Sequence, residues 1–239
     1  MKSREYNAGF TLVEMLIVVA IIAILATMVV GIASRIDTRS KENLAKSTIA
    51  ILTAALEQFY DYGYQYKDNP AYTPAERTFY LGLRFPLDCN GFTQAELGTT
   101  LGNALGAVVS VSISSGTHKN EYSGSEALYF FLSRIPECRE TLDKIDRSLI
   151  TNVNDDGGEI TISIDGREYP FFRVVDPWRE RGTTTKIGKT LRYDYYNEVP
   201  PPLDPGKIKK MEDTKRNFPV ITSAGPDGKF DTTDDISSR

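Results

Sequence analysis

The chain has 239 residues, 41% of them hydrophobic and 25% charged, which is the composition of an ordinary globular protein with one apolar segment added. Its formal net charge is −4 and its pI is near 5.2. With the basic residues scattered along the chain there is no electropositive footprint for nucleic acid, and no nucleic-acid partner is expected.

The first element is a short polar leader, in which Lys2, Arg4 and the α-amine outweigh Glu5. Directly after it comes an apolar run, and from Met15 to Ser34 there are 20 consecutive residues without a charge. As a helix that stretch spans about 30 Å, the hydrocarbon thickness of a bilayer. An ordinary secretory signal places its small-residue cleavage site after an apolar core of roughly 7–15 residues. Here the small pair Ala8-Gly9 precedes a longer run, so cleavage there would leave the apolar segment attached. The positive leader assigns the N-terminus to the cytoplasmic side and the chain beyond Ser34 to the outside, although Arg35, Arg39 and Lys41 weaken the asymmetry. Glu14 interrupts the apolar run. A carboxylate costs about 2.5–3.5 kcal/mol at the bilayer centre and less toward the surface, so a compensating partner is expected, with snorkelling to the headgroups as the alternative.

Gly9-Phe10-Thr11-Leu12-Val13-Glu14, followed by an uninterrupted apolar helix, resembles the class III signal of type IV pilins and type II secretion pseudopilins. The resemblance implies that a prepilin peptidase cuts between Gly9 and Phe10, that Phe10 is N-methylated, and that Glu14 becomes the fifth residue of the mature chain. It also implies a partner for Glu14, namely the terminal ammonium of a neighbouring subunit as the helices bundle, since opposite charges attract strongly when desolvated together.

The helical pattern continues beyond Ser34, with Ala45, Ile49, Leu52, Leu56 and Phe59 at spacings of four, three, four and three residues, and Gly63 marks the expected stop. The expected divisions are a leader at 1–9, a membrane and polymerisation helix at 10–34, an amphipathic continuation at 35–62 and a domain at 63–239. A helix from 10 to 62 would be about 80 Å long. The expected fold class is α+β, one long helix packed on a small antiparallel sheet, the ladle shape that the resemblance implies.

Within the domain, residues 62–83 read as an aromatic, turn-rich covering loop, and Val108 to Ile113 as a β-branched run in an otherwise ambiguous segment. SEALYFFLSRI reads as a short helix. ITISI and REYPFFRVV flank Asp165-Gly166, the dipeptide favoured in a type I′ hairpin. LRYDYY at 191–196 reads as a further strand, and the proline-rich, charged stretch 199–217 as a solvated loop.

Cys89 and Cys138 are 49 positions apart without a CxxC pattern, which argues against zinc. Outside the inner membrane the oxidising environment favours a disulfide between them, with two free buried thiols as the alternative. His118, the one histidine, lies in a Gly/Ser/Asn-rich stretch without a motif linking it to a nucleophile or a metal, and is expected on the surface. Asn152, Asn154, Asp156 and Gly157 imitate the start of an EF-hand loop, but the twelfth position would be Ser163, so a turn is expected.

At the C-terminus, Asp227, Asp231, Asp234 and Asp235 crowd around Gly225 and Gly228, and the preceding FPVI reads as a strand that anchors the loop at 222–236. Such oxygen-rich, glycine-containing loops suit Ca²⁺, while a mobile acidic tail is the alternative. Ser223 to Gly228, followed by Asp234-Asp235-Ile236, is similar to the calcium-binding C-terminal loop of the major pseudopilin, the G component of type II secretion. Asp176-Pro177-Trp178 with Tyr193-Asp194-Tyr195 resembles the DPWG…Y-x-Y segment of that subfamily, although Arg179 replaces its glycine and the intervening stretch is longer. The implied cofactor is Ca²⁺ held by the four aspartates.

The expected protein is therefore non-enzymatic: a pseudopilin anchored once in the inner membrane, its domain in the periplasm, polymerising into a fibre that drives type II secretion. Its expected partners are copies of itself, minor pseudopilins, the prepilin peptidase, and an inner-membrane assembly platform with its ATPase. A type IV pilus pilin is the alternative within the fold, and a domain tethered by an uncleaved anchor, acting as an enzyme or a binding module, is the alternative outside it.

Overall fold

The computed structural model describes residues 12–65, 85–105, 110–114, 118–154, 157–178, 190–195 and 218–238, and their order of elements is α+β. The described residues fall into two compact units divided between Lys41 and Glu42.

Helix α1 (Leu12–Gln65) has 54 residues. It runs through Gly63, where the sequence suggests a stop, because one glycine in a helix costs only about 1 kcal/mol relative to alanine. In the first unit, the described side chains from Leu12 to Leu25 are exposed, with Leu12 at 82% and Val13 at 64%. Lys41 and Asp37 pair one turn apart at 2.8 Å. Among the described residues, no helix is long and apolar enough to cross a membrane.

In the second unit, α1 supplies Ala45, Ile49, Leu52, Ala55, Leu56 and Phe59 to the core, a stripe at the helical period that was legible in the sequence. Fully burying side chains of this size contributes about 1.5–3 kcal/mol each. Packed with them are Phe131, Leu128 and Leu132 of α3 (Ser123–Ser133), Leu97 and Leu101 of α2 (Gln94–Ala104), and Cys138 and Leu142 of α4 (Pro136–Leu142). The α2 helix, ambiguous in sequence, starts at a capping box. The Glu96 amide donates to the Thr93 hydroxyl at 3.4 Å and the Thr93 amide to the Glu96 carboxylate at 2.8 Å. Pro136 opens α4 where its missing N–H costs nothing.

Among the described residues, the strands form three small antiparallel sheets, where one was expected. The first, in spatial order, is β1 (Val111–Ile113), β3 (Thr161–Ile164) and β4 (Arg167–Pro170). The second pairs β2 (Ile150–Thr151) with β5 (Arg173–Val174). The third is β6 (Arg192–Asp194), β7 (Val220–Ser223) and β8 (Ile236–Ser237). The buried α3 packs on the second of these sheets, with its Ser125 hydroxyl donating to the Val174 carbonyl at 2.8 Å. The β3–β4 hairpin turns on Asp165 (φ 49°) and Gly166 (φ 79°), the two left-handed residues that a type I′ turn demands. At Asn154 the chain makes the expected turn, with Gly157 at φ 82° and the Gly158 amide donating to the Asn154 side chain at 2.8 Å. The expected loops at 62–83 and 199–217 lie largely or wholly outside the described residues.

Candidate functional site

Gly9 and Phe10, the expected scissile pair, lie outside the described residues. Glu14 is in the first turn of α1, where a carboxylate suits the positive end of the helix dipole. It sits among the exposed side chains of Val13, Met15, Leu16, Ile17 and Val18. A helix stretch this apolar, with its side chains uncovered within the isolated chain, has its hydrophobic stabilisation still to gain from a lipid or a second protein surface.

The acidic loop is anchored at both ends by the third sheet. Strand β7 precedes it, β8 follows it, and the two pair as Thr222 with Ser237 and Ser223 with Ile236. Between them Gly225 (φ 62°), Gly228 (φ 64°) and Asp231 (φ 67°) take left-handed conformations that curl the backbone. Each carboxylate then meets donors of the protein. Asp234 accepts from the Asp227 amide at 3.0 Å and from the Thr232 hydroxyl at 2.7 Å. Asp235 accepts from the Asp231 amide at 2.7 Å, and Asp227 from the Lys229 amide at 2.7 Å. Asp231 takes both terminal nitrogens of Arg192, at 3.0 and 3.1 Å. The Thr232 hydroxyl and the Asp227 amide hold the Asp234 carboxyl below the usual carboxylate range.

The expected convergence of Asp227, Asp231, Asp234 and Asp235 on one cation is therefore not what the loop shows. Among the described residues, no group of three or more His, Cys, Asp or Glu side chains is arranged to hold a metal ion. The mutual repulsion that suggested an ion is relieved instead by backbone amides and a guanidinium. The loop is also no mobile acidic tail, since strands close it on both sides.

Sequence reading missed two of the anchors. Arg192, on β6, stacks over the Phe230 ring with 4.6 Å to the centroid and bridges Asp231 to Asp194, whose carboxylate it meets at 2.9 Å. Asp231 tops the causes that raise the Arg192 guanidinium above its ordinary range, ahead of burial, which opposes it. Asp176, in the Asp-Pro-Trp stretch, is 2% exposed and accepts from the Trp178 amide at 3.0 Å and the Ala224 amide at 3.1 Å. It pins the end of β5 to the start of the acidic loop. Burial raises the Asp176 carboxyl, against the lowering effect of these donors. The signal for both was the resemblance around residues 176–178 and 193–195, which pointed to the segment without giving the partners.

The disulfide expected between Cys89 and Cys138 is absent: both are free, buried thiols. Cys89 lies in the turn ahead of α2, where its carbonyl accepts from Phe92 and Ser123. Cys138 lies in α4 and donates to the Ala55 carbonyl of α1 at 3.3 Å. Both side chains are packed into the hydrophobic core. Burial, chiefly, pushes each thiol from 9.0 up to about 12. His118 departs from the surface placement expected of it, its side chain being 1% exposed.

Residues 4–30 match the family described as the prokaryotic N-terminal methylation motif. Over 62 residues the chain is 40% identical to the type IV major pilin protein PilA of Myxococcus xanthus (strain DK1622), a stretch that covers 26% of this chain and 28% of that pilin. No solved structure matches. A long N-terminal helix joined to small antiparallel sheets is consistent with a pilin-like fold. The chain thus carries, ahead of an α+β domain, the N-terminal methylation motif that is the prepilin signal of type IV pilin-like proteins.

Proposed function

We propose that the protein is a structural subunit that polymerises through its N-terminal helix after a prepilin peptidase removes residues 1–9. The observation that carries this reading is the methylation motif at residues 4–30, leading directly into a helix whose described side chains from Leu12 to Leu25 stand uncovered. Before assembly the apolar run through Ser34 would sit in the inner membrane, with the domain in the periplasm. During assembly the same apolar surface would pack against other subunits, driven by an assembly platform and its ATPase.

Within that reading we favour a pseudopilus serving type II secretion, on the resemblance of residues 176–178, 193–195 and 223–236 to the major pseudopilin. A type IV pilus is the second reading, favoured by the 62-residue similarity to a type IV major pilin.

The test is mass analysis of the mature N-terminus isolated from membranes. The expected product starts at N-methylated Phe10, and an intact Met1 terminus on the membrane-embedded protein would sink the proposal. Gene neighbours separate the two readings: secretion-channel genes support the pseudopilus, and retraction-motor and adhesin genes the pilus.

A further inference from the structure

Beside the core of the second unit lies a charged cluster that the fibre reading does not use. The His118 Nδ1 faces the Glu126 carboxylate of α3 at 3.0 Å, and its Nε2 lies 3.1 Å from the Phe92 carbonyl. On the other side of Glu126 stands Arg173 of β5, 3.7 Å away. The Arg173 guanidinium stacks over the Tyr122 ring, 4.1 Å from its centroid, and donates to the Val153 carbonyl at 2.9 Å. The three side chains are 1%, 0% and 3% exposed. Five separate segments thus meet here: the turn ahead of α2, the stretch entering α3, α3 itself, β5 and the turn after β2.

The chemistry of the imidazole decides its state. With the Glu126 carboxyl group 3.0 Å from Nδ1 and the Phe92 carbonyl 3.1 Å from Nε2, both neighbours of the ring are acceptors, and this favours the imidazolium, which carries a proton on each nitrogen. A neutral ring would turn one lone pair toward an acceptor in a water-poor site, where an unsatisfied buried contact is expensive. Burial by itself favours the neutral form, but the bond and charge of Glu126 and the Phe92 carbonyl outweigh it and raise His118 above 6.5, while the Arg173 charge opposes them. Among the described residues, the charged groups that face the ring are Glu126 from α3 and Arg173 from β5, and the turn ahead of α2 contributes a carbonyl.

We propose that His118, Glu126 and Arg173 form a protonation-controlled lock on the domain, closed while both nitrogens of the imidazole carry protons and opened by loss of one of them. The stability that the lock supplies is fully present below pH 6.5 and is lost as the pH rises through the higher value of the folded state. The domain should therefore loosen as the pH rises above 6.5, whereas the two buried thiols exert their effect only above about pH 9.

Because the chain has a single histidine, its ring resonances report the lock without assignment. The full chain in detergent micelles is labelled on histidine, titrated by NMR between about pH 5 and 9, and melted across the same range. The expected result is a histidine that titrates above 6.5 in the wild type and a melting temperature that falls as the pH rises above 6.5. Glu126→Gln should lower the histidine value, and His118→Gln should abolish the fall in melting temperature. A wild-type histidine titrating at or below 6.5, or a fall that His118→Gln leaves undiminished, overturns the lock. Should either variant fail to fold, the wild-type titration alone decides. Neither outcome bears on N-terminal processing, so the failure of this inference and of the fibre reading are distinguishable.

Discussion

Arg192 grips Asp231 at two points, Nη1 on Oδ2 at 3.1 Å and Nη2 on Oδ1 at 3.0 Å, and so closes the acidic loop against strand β6. The Asp231 side chain is 72% exposed, and a pair open to solvent on that side contributes only about 0–1 kcal/mol. Calcium entering this loop would compete with the guanidinium for Asp231 and with amides for Asp234 and Asp235. One ion at 100-fold excess over its Kd stabilises by about 2.7 kcal/mol, and since that Kd includes the competition, removing the guanidinium lowers it. We therefore expect melting of the full chain in detergent to rise more with millimolar calcium in Arg192→Gln than in the wild type, relative to EDTA. Equal responses, including none in either protein, would remove calcium from the account of this loop.

The loop also depends on a glycine. A Cβ at Gly225 would lie 2.3 Å from the Asp234 carbonyl oxygen and 2.9 Å from its carboxylate, at a φ of 62°. At Gly228 the φ is 64° but nothing lies within 4 Å. Left-handed backbone costs an L-residue roughly 1–2 kcal/mol, so Gly228→Ala should lose about that much. Gly225→Ala must in addition displace backbone and should lose clearly more. Denaturant unfolding of both variants checks the order, and equal losses would mean that the loop yields freely around Gly225.

For Glu14 the relevant quantity is charge. Glu14→Leu removes a carboxylate from an apolar, exposed helix surface, so membrane insertion should persist or improve. If the carboxylate pairs with the terminal ammonium of the next subunit, recruitment into fibres should drop. The measurement is the ratio of sheared-fibre to membrane protein, and normal fibre yield from Glu14→Leu would show that the pairing fails here.

The two thiols give a redox and pH test together. Thiols held near 12 are almost wholly protonated, and so poor nucleophiles, at neutral pH. Folded protein should resist alkylation at about pH 8, whereas denatured protein should react at both cysteines. An intact mass corresponding to a bridged chain would contradict the free state. Since each thiol is raised on folding, the stability tied to its protonation is present below 9.0 and is lost as the pH climbs toward about 12.

The local and periodic features were legible in the sequence. The methylation motif, the apolar run around Glu14, the Ala45 to Phe59 stripe, the Asp165-Gly166 hairpin and the helix at Ser123–Ser133 each depend on neighbours within a few residues. Side-chain period and turn chemistry are local properties, so they can be read along the chain. What only tertiary structure decided were the long-range partners. Arg192 reaches Asp231 across 39 residues and Asp176 reaches Ala224 across 48, relieving an acidic cluster that by itself suggested an ion. His118 looks like a surface residue because the stretch around it is rich in Gly, Ser and Asn, yet Glu126, Arg173 and Phe92 meet it from three other places in the fold. The same holds for Cys89 and Cys138: an oxidising compartment can favour a disulfide, but in the fold both are free, buried thiols.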